Sequence, residues 1–523
     1  MSQSFRISNE GLLNRNKEIS FKFNGKKYTG YEGDTLASAL LANGVHLVGR
    51  SFKYHRPRGF FGAGVDEPNA KLQILLNGHS EPNVNATEFE LVEGIEATSQ
   101  NCWPSVKFDV GAINNFLNKF FPAGFYYKTF MWPKSFWYKI YEPFIRKTAG
   151  FGVASIEKDR ERYEHKYEYC DLLVAGSGPA GLSSAYAAAK NGAKVILAED
   201  KPRFGGSLLT DEVTIDNLSG KAWTDKIITE LKEMPNVIVK NRSQVFGYYD
   251  HNMTVMFERT GDHLKDKPKY TPRQRLWYIR AKEVLLSTGS IERPIIFGNN
   301  DTPGIFLSAA AKEYIKVYGV LVGKKPLIFT NNDSAYETAL EFKKQGIDPI
   351  ILDTRKEHSS ELIDSAKNQN ITIRFSYAVI KANGYKKVKS AQIGKLNKDK
   401  TAFENSETIE CDCICVSGFW TPTVHLASQS GNKLKFDDQI DAFIPGKSKQ
   451  NETSVGASKG TFTLKDTLDD GFKTGFYLSK KTTNNDNSTS PPNSNEIKKK
   501  PHDKFWCSPL PKDKSFKRFV DFQ

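Results

Sequence analysis

The stretch "CDLLVAGSGPAGLSSAYAAAKNGAKVILAED", residues 170–200, decides the fold. Residues 171–175 are an apolar run of the buried-strand type. Pro179–Lys190 is an alanine-rich stretch of helical type that Asn191-Gly192 stops. Between them Gly176, Gly178 and Gly181 form a GxGxxG turn, with Ser177, Pro179 and Ala180 at its other positions. Gly176 permits the tight strand-to-helix reversal. Gly178 lacks a Cβ, so backbone N–H groups can approach a pyrophosphate, and Gly181 lets the helix lie close to the strand. The helix start then offers unpaired amides and the positive end of its dipole to the phosphates. A second strand, residues 194–198, leads into Glu199 and Asp200. Glu199 stands eighteen residues after Gly181, placed to accept hydrogen bonds from an adenosine ribose. An acid there disfavours a 2′-phosphate, so NAD or FAD is expected rather than NADP.

Working outward, "FGGSLL" (residues 204–209) follows the second strand and brings Gly205, Gly206 and Ser207 to the site. "AKEVLLSTGSIERPIIF" (residues 281–297) reads as a strand returning to it, with Thr288 and Gly289 near the cofactor. A second strand–helix–strand unit, residues 325–355, carries the turn Thr330-Asn331-Asn332-Asp333-Ser334 without a glycine. Side chains there crowd a pyrophosphate and Asp333 repels it, so this lobe is expected to be structural. Two-lobed flavoproteins carry a late Gly-Asp motif at the flavin's ribityl-phosphate region. Here Gly456-Ala457-Ser458 stands in its place, which favours NAD at the first site. Alternation of strand-like and helix-like segments over residues 170–440 is the pattern of a parallel α/β sheet.

Four segments are expected along the chain. Residues 1–100 read as a β-rich unit: two strands joined at Asn24-Gly25, a helix capped by Asp34, then the strand "AKLQILLNG". This looks like a ferredoxin-type β-grasp fold, whose cluster takes four cysteines, yet no cysteine precedes Cys102. A cluster is therefore excluded. The basic loop at residues 49–59 occupies the approximate place of the missing ligands and reads as solvated or packed on a subunit. Residues 101–165 form an aromatic-rich connector (Phe120, Phe121, Phe125, Tyr126, Tyr127, Phe130, Trp132, Phe136, Trp137, Tyr138), suited either to ordinary packing or to an interface. Residues 166–478 are the two-lobed domain. Residues 479–523 are expected to be a flexible linker followed by a segment too short to fold alone.

Composition narrows the function. The chain of 523 residues has 39% hydrophobic residues and a formal net charge of +14, spread without a nucleic-acid motif, so no nucleic-acid partner is expected. No run of 18 apolar residues exists, and lysines and prolines interrupt the aromatic stretch at residues 116–144, so no membrane span is expected. The six cysteines form no CxxC, and the nine histidines no HExxH, so no metal site is expected. Cys411, Cys413 and Cys415 read as small apolar residues of a buried strand. Such cysteine usage suits a reducing cytoplasm. The CxxxxC redox pair of disulfide reductases is missing after Gly205-Gly206.

Long phrases then converge on one family. "GDTLASALLANGVHLVGRSFKYHRPRG", "EPNA", "FDVGAINNFL", "FFPAGFYYKTFMWP", "YEPFIRKTAGFG", "TNNDSAY" and "VSGFWTPTVHLASQSG" together resemble the alpha subunit of heterotetrameric sarcosine oxidase, from about Ile19 onward. The resemblance implies an α/β, two-lobed FAD/NAD(P)-binding fold of glutathione-reductase type, preceded by a ferredoxin-like β-grasp domain without a cluster. It implies an oxidoreductase acting on CH–NH groups with oxygen as acceptor. The whole enzyme turns sarcosine into glycine, hydrogen peroxide and formaldehyde, or methylenetetrahydrofolate when tetrahydrofolate is present. It implies NAD on this chain, FAD and FMN on or shared with a beta subunit, and gamma and delta partners. The family's alpha subunit continues into a folate-binding domain, so this chain is expected to be a fragment or one half of a split subunit, with a separate folate-binding chain as a further partner. The amine-oxidising residues lie on the beta subunit in that family, and no catalytic residue is assigned here. Two rivals remain: a self-contained FAD- or NAD-dependent amine oxidoreductase, and a structural module with a relic pocket.

Overall fold

The computed structural model describes residues 3–76, 78–120, 129–483, 485–487, 490–495, 502–511 and 517–519. The chain divides into two compact units. One comprises Met1–Asp159, Pro294–Gly418 and Phe505–Gln523; the other comprises Arg160–Arg293 and Phe419–Lys504.

The first unit opens with a β-grasp sheet whose five strands run in the order Lys26–Glu32, Asn14–Phe23, Glu96–Ser99, Lys71–Leu76, His79–Asn85. Asn24 and Gly25 both have positive φ (48° and 76°), as the tight hairpin turn requires. The helix Leu36–Ala42 is buried along its whole length. Its cap is Thr35, not Asp34: Thr35 Oγ1 accepts from the Ser38 amide, and Ser38 Oγ accepts from the Thr35 amide. Asp34 is buried and occupied elsewhere, paired with Arg6 at 2.7 Å and accepting from Ser38 Oγ and the Tyr31 amide. A buried carboxylate facing a guanidinium has no reason to serve as a cap.

The same unit holds the second lobe, a parallel sheet ordered Ile305–Leu307, Cys413–Ser417, Pro326–Thr330, Ile350–Asp353, Thr372–Phe375. Phe297, Leu327, Phe329, Leu352, Ile414 and Val416 form its core. Cys411, Cys413 and Cys415 are all buried, and burial pushes the Cys411 thiol up to about 12, so these sulfurs act as apolar filling. The C-terminal segment adds to this lobe. Phe505 enters its core, the Ile296 amide donates to Trp506 O at 2.9 Å, and the Ser508 amide donates to Ile296 O at 2.8 Å.

The second unit is built on a mixed sheet ordered Val237–Lys240, Val195–Ala198, Tyr163–Ala175, Gln274–Leu286, Met253–Arg259, Ser243–Tyr249, with Glu452–Ser454 beside the end of Gln274–Leu286. The helix Pro179–Lys190 packs against the helix Leu464–Thr483 through backbone contact. A Cβ on Gly471 would lie 2.3 Å from Ala180 O, and one on Gly475 2.3 Å from Ser184 O. Ser183 and Ser184 Oγ reinforce the contact by donating to Leu468 O and Gly471 O. Helix therefore covers residues 479–483, the start of the segment 479–523 that the sequence reads as a flexible linker. Beyond it the Asn487 amide donates to Asn191 Oδ1, and the Asp216 amide to Asn493 O, so these parts of the segment are bonded to the unit.

Within the expected connector, Phe121, Phe125, Tyr126 and Tyr127 lie outside the described residues. Among the others, Phe120, Trp132, Phe136 and Tyr138 are exposed, so these four do not serve as core. Among the described residues no helix is long and apolar enough to cross a membrane, and no group of His, Cys, Asp and Glu is arranged to hold a metal ion.

Candidate dinucleotide site

The strand Tyr163–Ala175 delivers the chain into the glycine turn, and each glycine meets a different environment. Gly176 has φ +104°, and a Cβ on it would lie 2.4 Å from Ser287 O. A Cβ on Gly181 would lie 1.9 Å from Gly176 O, so helix and turn touch backbone to backbone. A Cβ on Gly178 would meet nothing within 4 Å. The first two glycines are thus demanded by the protein's own packing, and the third by nothing inside it. Gly178 is also the N-cap of Pro179–Lys190 and supplies no capping side chain. The amides of Ala180 and Gly181 fall in the first turn, outside the helical ladder.

Ser177 and Glu199 lock the turn to the second strand. The Ser177 amide and Oγ donate to Glu199 Oε2 at 2.9 and 2.5 Å, and the Lys201 amide donates to Glu199 Oε1 at 3.0 Å. Glu199 is buried, and its pKa is pushed up to about 8, first by burial and then by neighbouring Asp200. Gly205 donates its amide to Ser177 O, and a Cβ on Gly206 would lie 3.1 Å from Gly178 Cα. Gly206 and Ser207 are exposed beside the open position. Thr288 Oγ1 donates to Thr423 O, while the Thr423 amide donates to Gly289 O, fixing that corner at the end of Gln274–Leu286. Gly176, Ser177, Gly178, Glu199, Gly205, Gly206, Thr288 and Gly289 all belong to one unit.

Two residues that sequence reasoning missed complete the frame. Ser287 Oγ lies 2.9 Å from Ala175 O and 2.8 Å from Gly176 O; its place just before Thr288-Gly289 is the signal that could have found it. Asp470 accepts from the Gly456 amide at 2.8 Å and pairs with Lys459 at 2.6 Å. The late loop therefore does have an acid, supplied from the helix and spent on the loop's own backbone and lysine.

The second lobe's turn is filled from within. Asn331, Asn332 and Asp333 are buried, and Asn332 binds Asn331 and Ser417 through its Nδ2. The Arg355 guanidinium bridges Asp333 and Asp353 at 2.8 and 2.7 Å, and Tyr336 donates to Asp353 at 2.8 Å. Asn331 Nδ2 donates to Phe505 O at 3.3 Å, placing the C-terminal segment against the turn. Where a pyrophosphate needs donors and room, this turn has two carboxylates and close packing.

A glycine turn between parallel strands, a buried acid at the second strand and an internally filled second lobe define a nucleotide-binding oxidoreductase fold. The profile of the family described as pyridine nucleotide-disulphide oxidoreductase matches residues 170–443, and the chain belongs to that family. Residues 16–102 match the profile of a 2Fe-2S iron-sulfur cluster binding domain, but Cys102 is the only cysteine within them and four ligands are needed. Among curated proteins, the chain is similar to sarcosine oxidase subunit alpha of Rhizobium meliloti (strain 1021), 44% identical over 460 residues, which are 88% of this chain and 45% of that one. The subunit of the same name from Corynebacterium sp. (strain P-1) is 32% identical over 488 residues, 91% of this chain and 45% of that one. The chain thus spans about half the length of the curated relatives it matches. Among solved structures, L-proline dehydrogenase from P. horikoshii shares the fold with a TM-score of 0.61 at 19% identity, covering 92% of this chain and 76% of that one.

Proposed function

We propose that this chain is the NAD-binding portion of a multisubunit sarcosine oxidase, working in the cytoplasm. Its relatives' name, sarcosine oxidase subunit alpha, supports sarcosine as the substrate oxidised by the whole enzyme, and the reaction we propose is oxidative demethylation of sarcosine to glycine, with hydrogen peroxide and formaldehyde or methylenetetrahydrofolate. The single observation that carries nucleotide binding is the void at Gly178, a glycine the protein's own packing does not require, flanked by first-turn amides and by Gly205, Gly206 and Ser207. Pro179 and Ala180 complete the turn, and Ser177 holds its shape. Glu199, with Asp200 beside it, supplies the sugar-binding carboxylate. Thr288 and Gly289 line the far end. NAD supplies a binding anchor, and a hydride-transfer centre where a reductant is at hand; the chain's own residues bind and orient it. NAD is favoured over FAD because the late loop's acid, Asp470, is engaged by Gly456 and Lys459.

FAD and FMN are assigned to a beta subunit, with gamma and delta subunits and a folate-binding chain completing the oxidase. The amine is oxidised on the beta subunit, so no catalytic residue is assigned to this chain. Co-expression with such subunits, followed by mass-spectrometric identification of released cofactors, tests the reading. One NAD per copy of this chain in an assembly that also carries flavins is expected. A monomer that carries FAD and oxidises an amine unaided would overturn it.

A further inference from the structure

The second unit's sheet leaves part of one face uncovered, and tyrosines stand along it. The first halves of Tyr163–Ala175 and Gln274–Leu286 lie beside Met253–Arg259 and Ser243–Tyr249 as four adjacent strands. Their other face is core, where Trp277, Ile279, Met256 and Thr254 are buried. Directly paired residues of neighbouring strands share a face. One row across the uncovered face therefore runs Tyr169, Arg280, Met253, Tyr249, and the next runs Tyr167, Tyr278, Val255, Gly247. The row after that adds His165, Leu276 and Phe257. These rows touch. The Tyr278 ring stacks on Tyr167 at 4.9 Å and on His165 at 5.7 Å between centroids, and a Cβ on Gly247 would lie 2.8 Å from the Tyr249 ring. Three hydrogen-bonded ladders thus hold one continuous aromatic face, on which Tyr167 is 73% exposed, Tyr249 56% and Tyr163 50%. Tyrosines fixed in this way can dock a partner at little ordering cost.

Charge identifies the occupant. The carboxylates of these four strand segments, Glu164, Glu168 and Glu258, alternate to the opposite face and are paired there. Arg275 holds Glu164 and Glu258 at 2.5 and 2.9 Å, Lys240 also reaches Glu258 at 3.1 Å, and Lys194 holds Glu168 at 3.0 Å. The tyrosine face itself carries Arg280, Arg259 and His165, against one acid in the adjoining hairpin, Asp250. The chain as a whole has a formal net charge of +14. A second copy would bring like charges together, whereas a chain bearing carboxylates would find Arg280 exposed. We propose that this face is the docking surface for a different polypeptide, one that lays apolar side chains across the tyrosine rows and sets a carboxylate against Arg280. The face is separate from the nucleotide site: Tyr169 precedes Gly176 by seven residues, roughly 23 Å of strand. The proposal rests on the oxidase reading only in taking the beta, gamma and delta subunits as probes.

The test compares the full chain with Tyr167→Ser, Tyr249→Ser and Arg280→Glu, each co-expressed with those subunits and assayed by sedimentation velocity and native mass spectrometry. These three side chains are exposed, so the variants should stay folded and keep the wild-type NAD affinity. Association should weaken about 30-fold for each tyrosine lost. Arg280→Glu should slow association and flatten its dependence on salt. Variants that assemble with wild-type affinity would overturn the docking surface and leave the oxidase reading standing. A homodimer of the isolated chain that the same substitutions abolish would overturn the choice of occupant. A wild-type chain that binds none of the three subunits would overturn both readings.

Discussion

Gly178→Ala tests the nucleotide site at its most informative position. The residue has φ −66° and ψ −175°, an extended conformation open to alanine, and its added methyl would meet no protein atom within 4 Å. Replacing a helix N-cap glycine by alanine costs about 0.5–1 kcal/mol, which for a chain of this size lowers the melting temperature by a few degrees at most. A pyrophosphate seated on this turn must approach the same space. The methyl would push its oxygens out of hydrogen-bonding range of the first-turn amides. Losing one such charge-assisted bond costs about 1.5–3 kcal/mol, or roughly 10- to 150-fold in affinity. Calorimetric titration with NAD alongside thermal melting reads both effects. Gly181→Ala is the contrast: its methyl would lie 1.9 Å from Gly176 O, so folding itself should suffer. A Gly178→Ala chain that binds NAD as tightly as wild type would refute the reasoning, because the void would then not be where the phosphates sit.

Glu199 sets a pH dependence. With its pKa at about 8 it is mostly protonated at pH 7, whereas ribose hydroxyls donating to it favour the ionised form. NAD affinity should therefore rise as pH increases from about 6 toward 8 and level off above, by at most tenfold per unit, with proton uptake by the buffer on binding. A flat profile in the wild type, or one that persists in Glu199→Gln, would count against Glu199 as the sugar ligand. The carboxyl's raised pKa also means that the fold is favoured at low pH and loses this contribution as pH rises through about 8. In the second lobe, Arg355→Met would leave Asp333 and Asp353 buried without their shared guanidinium, costing about 3–5 kcal/mol. Urea unfolding should show that loss, while NAD stoichiometry stays at one per chain; an unchanged midpoint would show that the cluster is not structural.

Local patterns were legible. The helix Pro179–Lys190 begins and ends where proline and Asn191-Gly192 mark it, and the hairpin turns at Asn24-Gly25. Those signals act over a few residues through backbone geometry alone. The strand Tyr163–Ala175 was legible only in its apolar half. Its first eight residues, "YEHKYEYC", are mostly charged and aromatic, and their strand pairing with Gln274–Leu286 is made more than a hundred residues away. The cap at Thr35 was misread because Arg6, twenty-eight residues before Asp34, claims that acid. The Phe505 contact escaped for the same reason, since its partner Asn331 is 174 residues away in sequence.

The two turns, taken together, explain why one topology supports one nucleotide. Both follow a parallel strand and open a helix, so both inherit first-turn amides and a favourable dipole. What separates them is what occupies the space in front. At Gly178 an added Cβ would meet no protein atom within 4 Å, and Glu199, just after the second strand, accepts from Ser177. At Asp333 the space is taken by Asn332, by an Arg355 bridge joining two acids, and by the Phe505 backbone. Seating a pyrophosphate there would mean breaking a buried ion pair and confining its negative charge beside two carboxylates. Either alone is costly in a low-dielectric interior, and the helix dipole, with about half a unit of charge, does not offset both. Retaining the second helix without its ligand leaves it a packing role, which its buried Tyr336, Ala339 and Phe342 fulfil.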